Sequence, residues 1–223
     1  MTYEVLFLPK SGQKGIRDSL KILVDRILTP TASLLNKYRV SPNTVTLSGF
    51  ALNIPAAVLI AYGLFIPAGL VIFFAGIFDL LDGVLARKMG KITVFGGFLD
   101  STVDRLTEGV LFFGILVYYL NSSNTAGALL AYAAMFFSFL ISYIRARAGS
   151  LKINCEEGLL TRGERISILI LGLLFQNLTG SLFYAVIIIA IFSFITVLQR
   201  IAVVYKRSPK PAAKQKSSRR IKK

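Results

Sequence analysis

The sequence predicts an all-α integral membrane protein, with six transmembrane helices preceded by an N-terminal amphipathic juxtamembrane helix. Three observations carry that expectation. Of the 223 residues, 54% are hydrophobic and only 17% charged, too apolar for a soluble domain of ordinary surface. All 26 lysines and arginines fall in four blocks, at residues 10–39, 87–105, 145–165 and 200–223. The stretches between them, 40–86, 106–144 and 166–199, contain neither residue, and each is long enough for two spans of roughly 20 residues joined by a tight turn.

The elements follow in chain order. The opening MTYEVLFLPKSGQKG has too short an apolar run, with its basic residues after rather than before it, to be a cleavable secretory signal. In residues 13–39, Leu20, Leu23, Val24, Ile27 and Leu28 are interleaved with charges, as in a helix lying at the membrane interface, so residues 1–40 form an N-terminal segment. SPNTVT at 41–46 suits a helix start, and the first span is expected over 44–63. GLFIPAG turns into a second span at 67–87, and KMGKITVFGG leads to a third at 97–120. NSSNTAG turns into a fourth at 125–146, the basic loop 147–163 leads into a fifth, and NLTG turns into a sixth at 181–204. Residues 41–206 are thus one six-helix transmembrane domain. Residues 207–223, rich in Lys, Ser, Pro and Ala, are expected to be a disordered tail drawn to anionic headgroups.

The turns GLFIPAG, NSSNTAG and NLTG carry no positive charge, whereas the connections on the other side do. By the positive-inside rule the protein is a multi-pass cell-membrane protein with both termini and the basic loops cytoplasmic. The net charge of +15 is therefore a topology signal, and no nucleic-acid partner is expected.

The chain has no histidine and a single cysteine, Cys155, read as incidental in its loop. Proton transfer then falls to carboxylates, and any metal must be oxygen-bound. The acids stand out because they interrupt apolar stretches, where an ionisable side chain marks a functional site by default. Asp79, Asp82, Gly83, Ala86 and Arg87 share one helical stripe, and Gly96, Asp100 and Asp104 share another. Facing each other, the stripes gather four carboxylates around one pocket, with glycine and alanine permitting close approach. Compensation by one or two Mg²⁺, Mn²⁺ or Ca²⁺ ions is the natural outcome, and metals held by carboxylates beside an arginine suit phosphoryl chemistry. A cation transporter is the alternative from another class, but it predicts acids near the midplane and a repeated architecture, whereas these acids lie near one interface and no repeat is visible.

The pattern D-x2-D-G-x2-A-R-x8-G-x3-D-x3-D, filled by those eight residues, resembles the signature of the CDP-alcohol phosphatidyltransferases. The resemblance implies an enzyme of phospholipid biosynthesis that binds CDP-diacylglycerol or CDP-archaeol on two Mg²⁺ ions, with Mn²⁺ as a substitute. An alcohol attacks the lipid-side phosphorus and CMP leaves. It further implies that Asp79, Asp82, Asp100 and Asp104 ligate the metals and that Asp104 is the catalytic base. Gly83, Arg87, Thr93 and Gly96 would contact the CDP-lipid, Asn43, Thr44, Val45 and Thr46 would close the nucleotide site, and the protein would be a homodimer.

A second stretch, SYIRARAG followed by GLLTRGER, resembles the SYIKARAE and GxxERPER blocks of prokaryotic phosphatidylinositol-phosphate and archaetidylinositol-phosphate synthases. It departs at Arg145, Gly149, Thr161 and Gly163. By that resemblance Arg145, Arg165 and Arg200 bind the acceptor's phosphate, and the acceptor is 1L-myo-inositol 1-phosphate. Arginines suit a phosphate through bidentate charge-assisted bonds. Glycerol 3-phosphate also carries a phosphate and is the rival acceptor. Glu108, one turn past Asp104, is expected to pair with Arg105, the alternative being that it tunes the site.

Overall fold

The computed structural model describes residues 14–208, with side chains from residue 25 onward; the expectations for residues 1–13 and 209–223 lie outside the described residues. Among the described residues there are eight helices and no strand: α1 (Lys14–Lys37), α2 (Pro42–Ala61), α3 (Phe65–Lys88), α4 (Val94–Asn121), α5 (Thr125–Ser150), α6 (Arg162–Leu174), α7 (Gln176–Thr179) and α8 (Ser181–Arg207).

Local chemistry sets the helix starts. Ser41 caps α2, its Oγ accepting the Thr44 N–H at 3.1 Å, and Pro42 occupies the first turn, where its missing donor costs nothing. Thr93 caps α4 through the Gly96 N–H at 2.9 Å, and Asn124 caps α5 through the Gly127 N–H at 2.8 Å. At α6 a capping box forms between Thr161 and Glu164, with the Thr161 N–H donating to Glu164 Oε2 at 2.6 Å. That box fixes the first turn of α6 and hence Arg162, its first residue.

One apolar core ties the bundle together. Ala56 and Ile60 of α2, Ile72 of α3, Leu111 and Ile115 of α4, Leu169 and Leu173 of α6, and Val186 and Ile189 of α8 are all buried in it. A smaller cluster of Ala32, Val45, Leu81, Val84 and Leu85 fastens α1 to α2 and α3. Polar contacts reinforce it, as Arg87 donates to Asp25 at 2.8 Å and Lys88 bonds Ser33. The approach of α2 to α4 depends on Gly114, because a Cβ there would lie 2.5 Å from the Ala57 carbonyl oxygen.

The outward faces of α3, α5 and α8 present large apolar side chains such as Phe73, Phe74, Tyr132, Phe136, Ile191 and Phe192. Four helices, Pro42–Ala61, Phe65–Lys88, Thr125–Ser150 and Ser181–Arg207, are long and apolar enough to cross a membrane. Helices apolar on both their buried and outward faces belong in lipid, so this is a membrane protein. The other two expected spans correspond to α4, which carries Asp100, Asp104, Arg105 and Glu108, and to the 13-residue α6 with α7 after it.

Candidate active site

The four motif aspartates lie on facing helices, Asp79 and Asp82 on α3, Asp100 and Asp104 on α4. Asp79, Asp100 and Asp104 each offer a carboxylate oxygen within 4.8 Å of the others, a spacing that suits a shared divalent cation. Asp82 stands apart from this trio: it is 7% exposed, and its Oδ2 accepts the Thr46 hydroxyl at 2.5 Å. Thr46 therefore orients an aspartate, a role its place in the sequence does not announce.

A cavity of about 300 Å³ opens on one side of the cluster. Of the residues expected to hold a CDP-lipid, Asn43, Thr46, Gly83, Arg87, Thr93 and Gly96 line it, together with Asp82 and Asp100. At Gly96 a Cβ would sit 3.0 Å from Thr93 Oγ1 and 3.4 Å from Asn43 Oδ1, so glycine keeps this wall open. Thr44 and Val45 do not line the cavity. The Thr44 hydroxyl pairs with Ser41 at 2.8 Å in the helix cap, and Val45 is buried in the apolar cluster.

A second cavity, of about 320 Å³, lies on the other side and reaches Asp104. Arg145, Arg165 and Arg200 all line it. They differ in how they are held. Arg165 grips Glu108 with two nitrogens and donates its Nη1 to the Leu160 carbonyl at 3.2 Å. Arg200 donates to the Glu157 and Ile141 carbonyls, each at 2.8 Å. Arg145 is exposed and has no hydrogen-bond or ion-pair partner among the described residues. The expected Glu108–Arg105 pair does not form. α4 turns Glu108 inward, where it is buried, while Arg105 is only half-buried, so the carboxylate meets α6 instead of its own helix.

Arg162 is the residue that sequence reasoning missed. Its Nη1 lies 3.1 and 3.0 Å from the two Asp79 carboxylate oxygens and 2.6 Å from Asp104 Oδ1. The Asp104 approach is a charge contact without hydrogen-bond alignment, since Oδ1 is left with no hydrogen-bond partner. The available signal was its position three residues before Arg165, on the same face at the start of α6.

The trio fits a hard divalent ion: all three donors are carboxylate oxygens from two rigid helices, with no nitrogen or sulfur ligand present. The profile of the family described as CDP-alcohol phosphatidyltransferase matches residues 39–204. The chain belongs to that family.

Among similar members is an archaetidylinositol phosphate synthase of Methanothermobacter thermautotrophicus, 34% identical over 196 residues, covering 87% of this chain and 96% of the relative. Mycobacterium tuberculosis phosphatidylinositol phosphate synthase with CDP-DAG bound superposes with a TM-score of 0.78 at 29% identity, covering 83% of this chain and 99% of that one. The same synthase in complex with manganese and citrate gives a TM-score of 0.76 at 28% identity, covering 82% and 93%. A divalent metal thus occurs in a structural neighbour of this phosphatidyltransferase.

Proposed function

We propose that this phosphatidyltransferase moves a phosphatidyl or archaetidyl group from CDP-diacylglycerol or CDP-archaeol to 1L-myo-inositol 1-phosphate, releasing CMP. The observation that carries the reading is that two cavities meet at one carboxylate cluster. The glycine-lined cavity includes Asp82 and Asp100, and the arginine-lined cavity includes Asp104. A nucleotide-linked donor on one side and a phosphate-bearing acceptor on the other would bring phosphorus and hydroxyl together between them. The relatives named as inositol phosphate synthases support the same acceptor.

Each residue then has a task. Asp79, Asp82, Asp100 and Asp104 would hold two Mg²⁺ ions, with Mn²⁺ as a substitute, and such ions neutralise a pyrophosphate and its developing charge when bound. Asp104 takes the proton of the attacking hydroxyl as the new P–O bond forms and the bond to the CMP oxygen breaks. Gly83, Arg87, Thr93, Gly96, Asn43 and Thr46 hold the nucleotide, and Arg145, Arg165 and Arg200 hold the acceptor's phosphate.

The remaining architecture belongs to the same proposal. α4, and α6 with α7, complete six spans, and α1 lies along the interface as an amphipathic helix. Basic residues such as Lys88, Arg145, Arg147 and Lys152 gather at the helix ends nearest the site, which favours a cytoplasmic active site and cytoplasmic termini. Residues 41–206 act as the catalytic domain and 207–223 as a basic tail, and the protein works as a homodimer.

The test is CMP release by purified protein in detergent, with CDP-diacylglycerol or CDP-archaeol and Mg²⁺ or Mn²⁺. Inositol 1-phosphate, glycerol 3-phosphate, serine and free inositol are offered separately, and the product lipid is identified by mass. Metal-dependent release with inositol 1-phosphate alone is expected. Release with glycerol 3-phosphate instead would keep the chemistry and overturn the acceptor.

A further inference from the structure

Arg162 belongs to two places at once. It lines the arginine cavity beside Asp104, and it also lines a small cavity of about 30 Å³ beneath Asp79, with Asn53 and Thr107. Its Nη1 sits 3.0 Å from Asp79 Oδ2 and 2.6 Å from Asp104 Oδ1. These carboxylates supply two of the three oxygen donors gathered within 4.8 Å. A divalent ion takes carboxylate oxygens at about 2.0–2.6 Å and needs the same lone pairs, so guanidinium and metal compete for them.

The manner in which Arg162 is held permits exchange. Arg165, one turn later, is 2% exposed and hydrogen-bonded through Nε, Nη1 and Nη2. Arg162 is engaged through Nη1 alone, its buried Nε has no hydrogen-bond partner, and its side chain is 26% exposed. The capping box fixes its backbone, but the long side chain borders a cavity of about 320 Å³ into which the guanidinium can turn. In that cavity it would stand with Arg145, Arg165 and Arg200.

We propose that Arg162 is an exchange residue: its guanidinium compensates Asp79 and Asp104 before metal arrives, and metal binding releases it into the arginine cavity, where it strengthens the grip on a phosphate-bearing acceptor. The inference rests on the metal reading of the carboxylates and is independent of which phosphorylated alcohol is used. Two consequences are quantitative. Arg162 weakens metal binding in the absence of acceptor, and metal and phosphate each tighten the other by the same factor, because a coupling free energy between two sites is reciprocal.

The experiment measures Mn²⁺ affinity of the purified full-length protein by calorimetry and by electron paramagnetic resonance of free Mn²⁺, with and without inositol 1-phosphate or inorganic phosphate as probe. In the unmodified protein the probe should tighten Mn²⁺, and Mn²⁺ should tighten the probe equally. Arg162→Ala should bind Mn²⁺ alone about tenfold or more tightly, and the coupling factor should fall towards one. Arg105→Ala removes a charge from the same cavity at a residue with no ion pair to those oxygens among the described residues, so its gain should be clearly smaller. If Arg162→Ala fails to fold, Arg162→Gln, which keeps a polar side chain and loses the charge, carries the same expectation. Mn²⁺ affinity unchanged in both Arg162 variants, or no greater than in Arg105→Ala, or coupling that survives, overturns the exchange. Mn²⁺ binding absent from the unmodified protein overturns it together with the metal reading.

Discussion

Arg165 and Glu108 form a two-pronged ion pair between α6 and α4, with Nε to Oε1 at 2.7 Å and Nη2 to Oε2 at 2.9 Å. Both side chains are nearly inaccessible, at 2% and 3% exposure. Removing one member leaves the other charge buried and alone, which typically costs about 3–5 kcal/mol. Glu108→Ala should therefore lower the melting temperature in detergent markedly, and Glu108→Leu with Arg165→Leu should recover much of that loss. A double variant as unstable as the single one would show that the pair itself is not the source of the stability.

Arg145 offers the contrasting case. It lines the same cavity as Arg165 but is exposed and has no partner among the described residues, so its charge is the more available to an incoming phosphate. Arg145→Ala should raise the acceptor KM about tenfold or more, the scale of one lost charge-assisted hydrogen bond, with little change in melting temperature. An unchanged KM would leave Arg145 as a membrane-topology anchor.

Asp104 is where the carboxylate trio and the arginine cavity meet. Asp104→Asn preserves shape and removes the proposed base, so turnover measured as CMP release should be lost while binding of the CDP-lipid, proposed for the cavity lined by Asp82 and Asp100, is largely retained. Near-normal turnover would remove Asp104 from the role of base.

The helices and the aspartate pattern were legible in the sequence because both rest on local periodicity. Lysine and arginine blocks bounded the apolar stretches, and i, i+3 and i+4 spacings put Asp79 with Asp82 and Asp100 with Asp104 on common stripes. What was not legible is partner choice across helices. Glu108 joins Arg165 rather than Arg105, Asp82 leaves the trio for the Thr46 hydroxyl, and Arg162 enters the trio from α6. Each outcome is decided by how neighbouring helices are rotated about their axes, and spacing within one helix carries no information about that. Val45 shows the same limit: between Asn43 and Thr46, which line the cavity, it is instead buried in one cluster with Leu81 and Leu85.

The rotation of α2 against α4 is itself open to test. An added Cβ at Gly114 would lie 2.5 Å from the Ala57 carbonyl oxygen and 3.0 Å from its Cα, both backbone atoms that cannot turn away. Gly114→Ala should force the helices apart at a cost of about 1–3 kcal/mol. A lower melting temperature, with weaker Mn²⁺ binding because Thr46 on α2 shifts relative to Asp82, is the expected pair of results. Unchanged melting would show that the bundle absorbs the methyl group.

The loop after α5 is clasped to α8, and its single cysteine reports on that clasp. Thr196 Oγ1 accepts the Leu159 and Leu160 N–H groups at 3.2 and 3.4 Å, and Arg207 bonds the Asn154 carbonyl and the Glu157 carboxylate. Gly158, at φ +152°, passes so close that a Cβ would lie 2.5 Å from the Thr196 methyl. Cys155, within this loop, is buried with its thiol toward the Arg200 carbonyl of α8, and burial pushes the thiol up from the ordinary range. Since the thiolate is the reactive form, maleimide labelling in the folded protein should be slow, and its pH profile should sit on the alkaline side of that of a free cysteine. Arg207→Ala, at an exposed position where the ion pair adds little global stability, should speed labelling several-fold by loosening the loop while leaving the melting temperature nearly unchanged. Labelling that stays slow in that variant would mean that Thr196 and Arg200 hold the loop without Arg207, and a further Thr196→Val substitution would then be needed to expose the thiol.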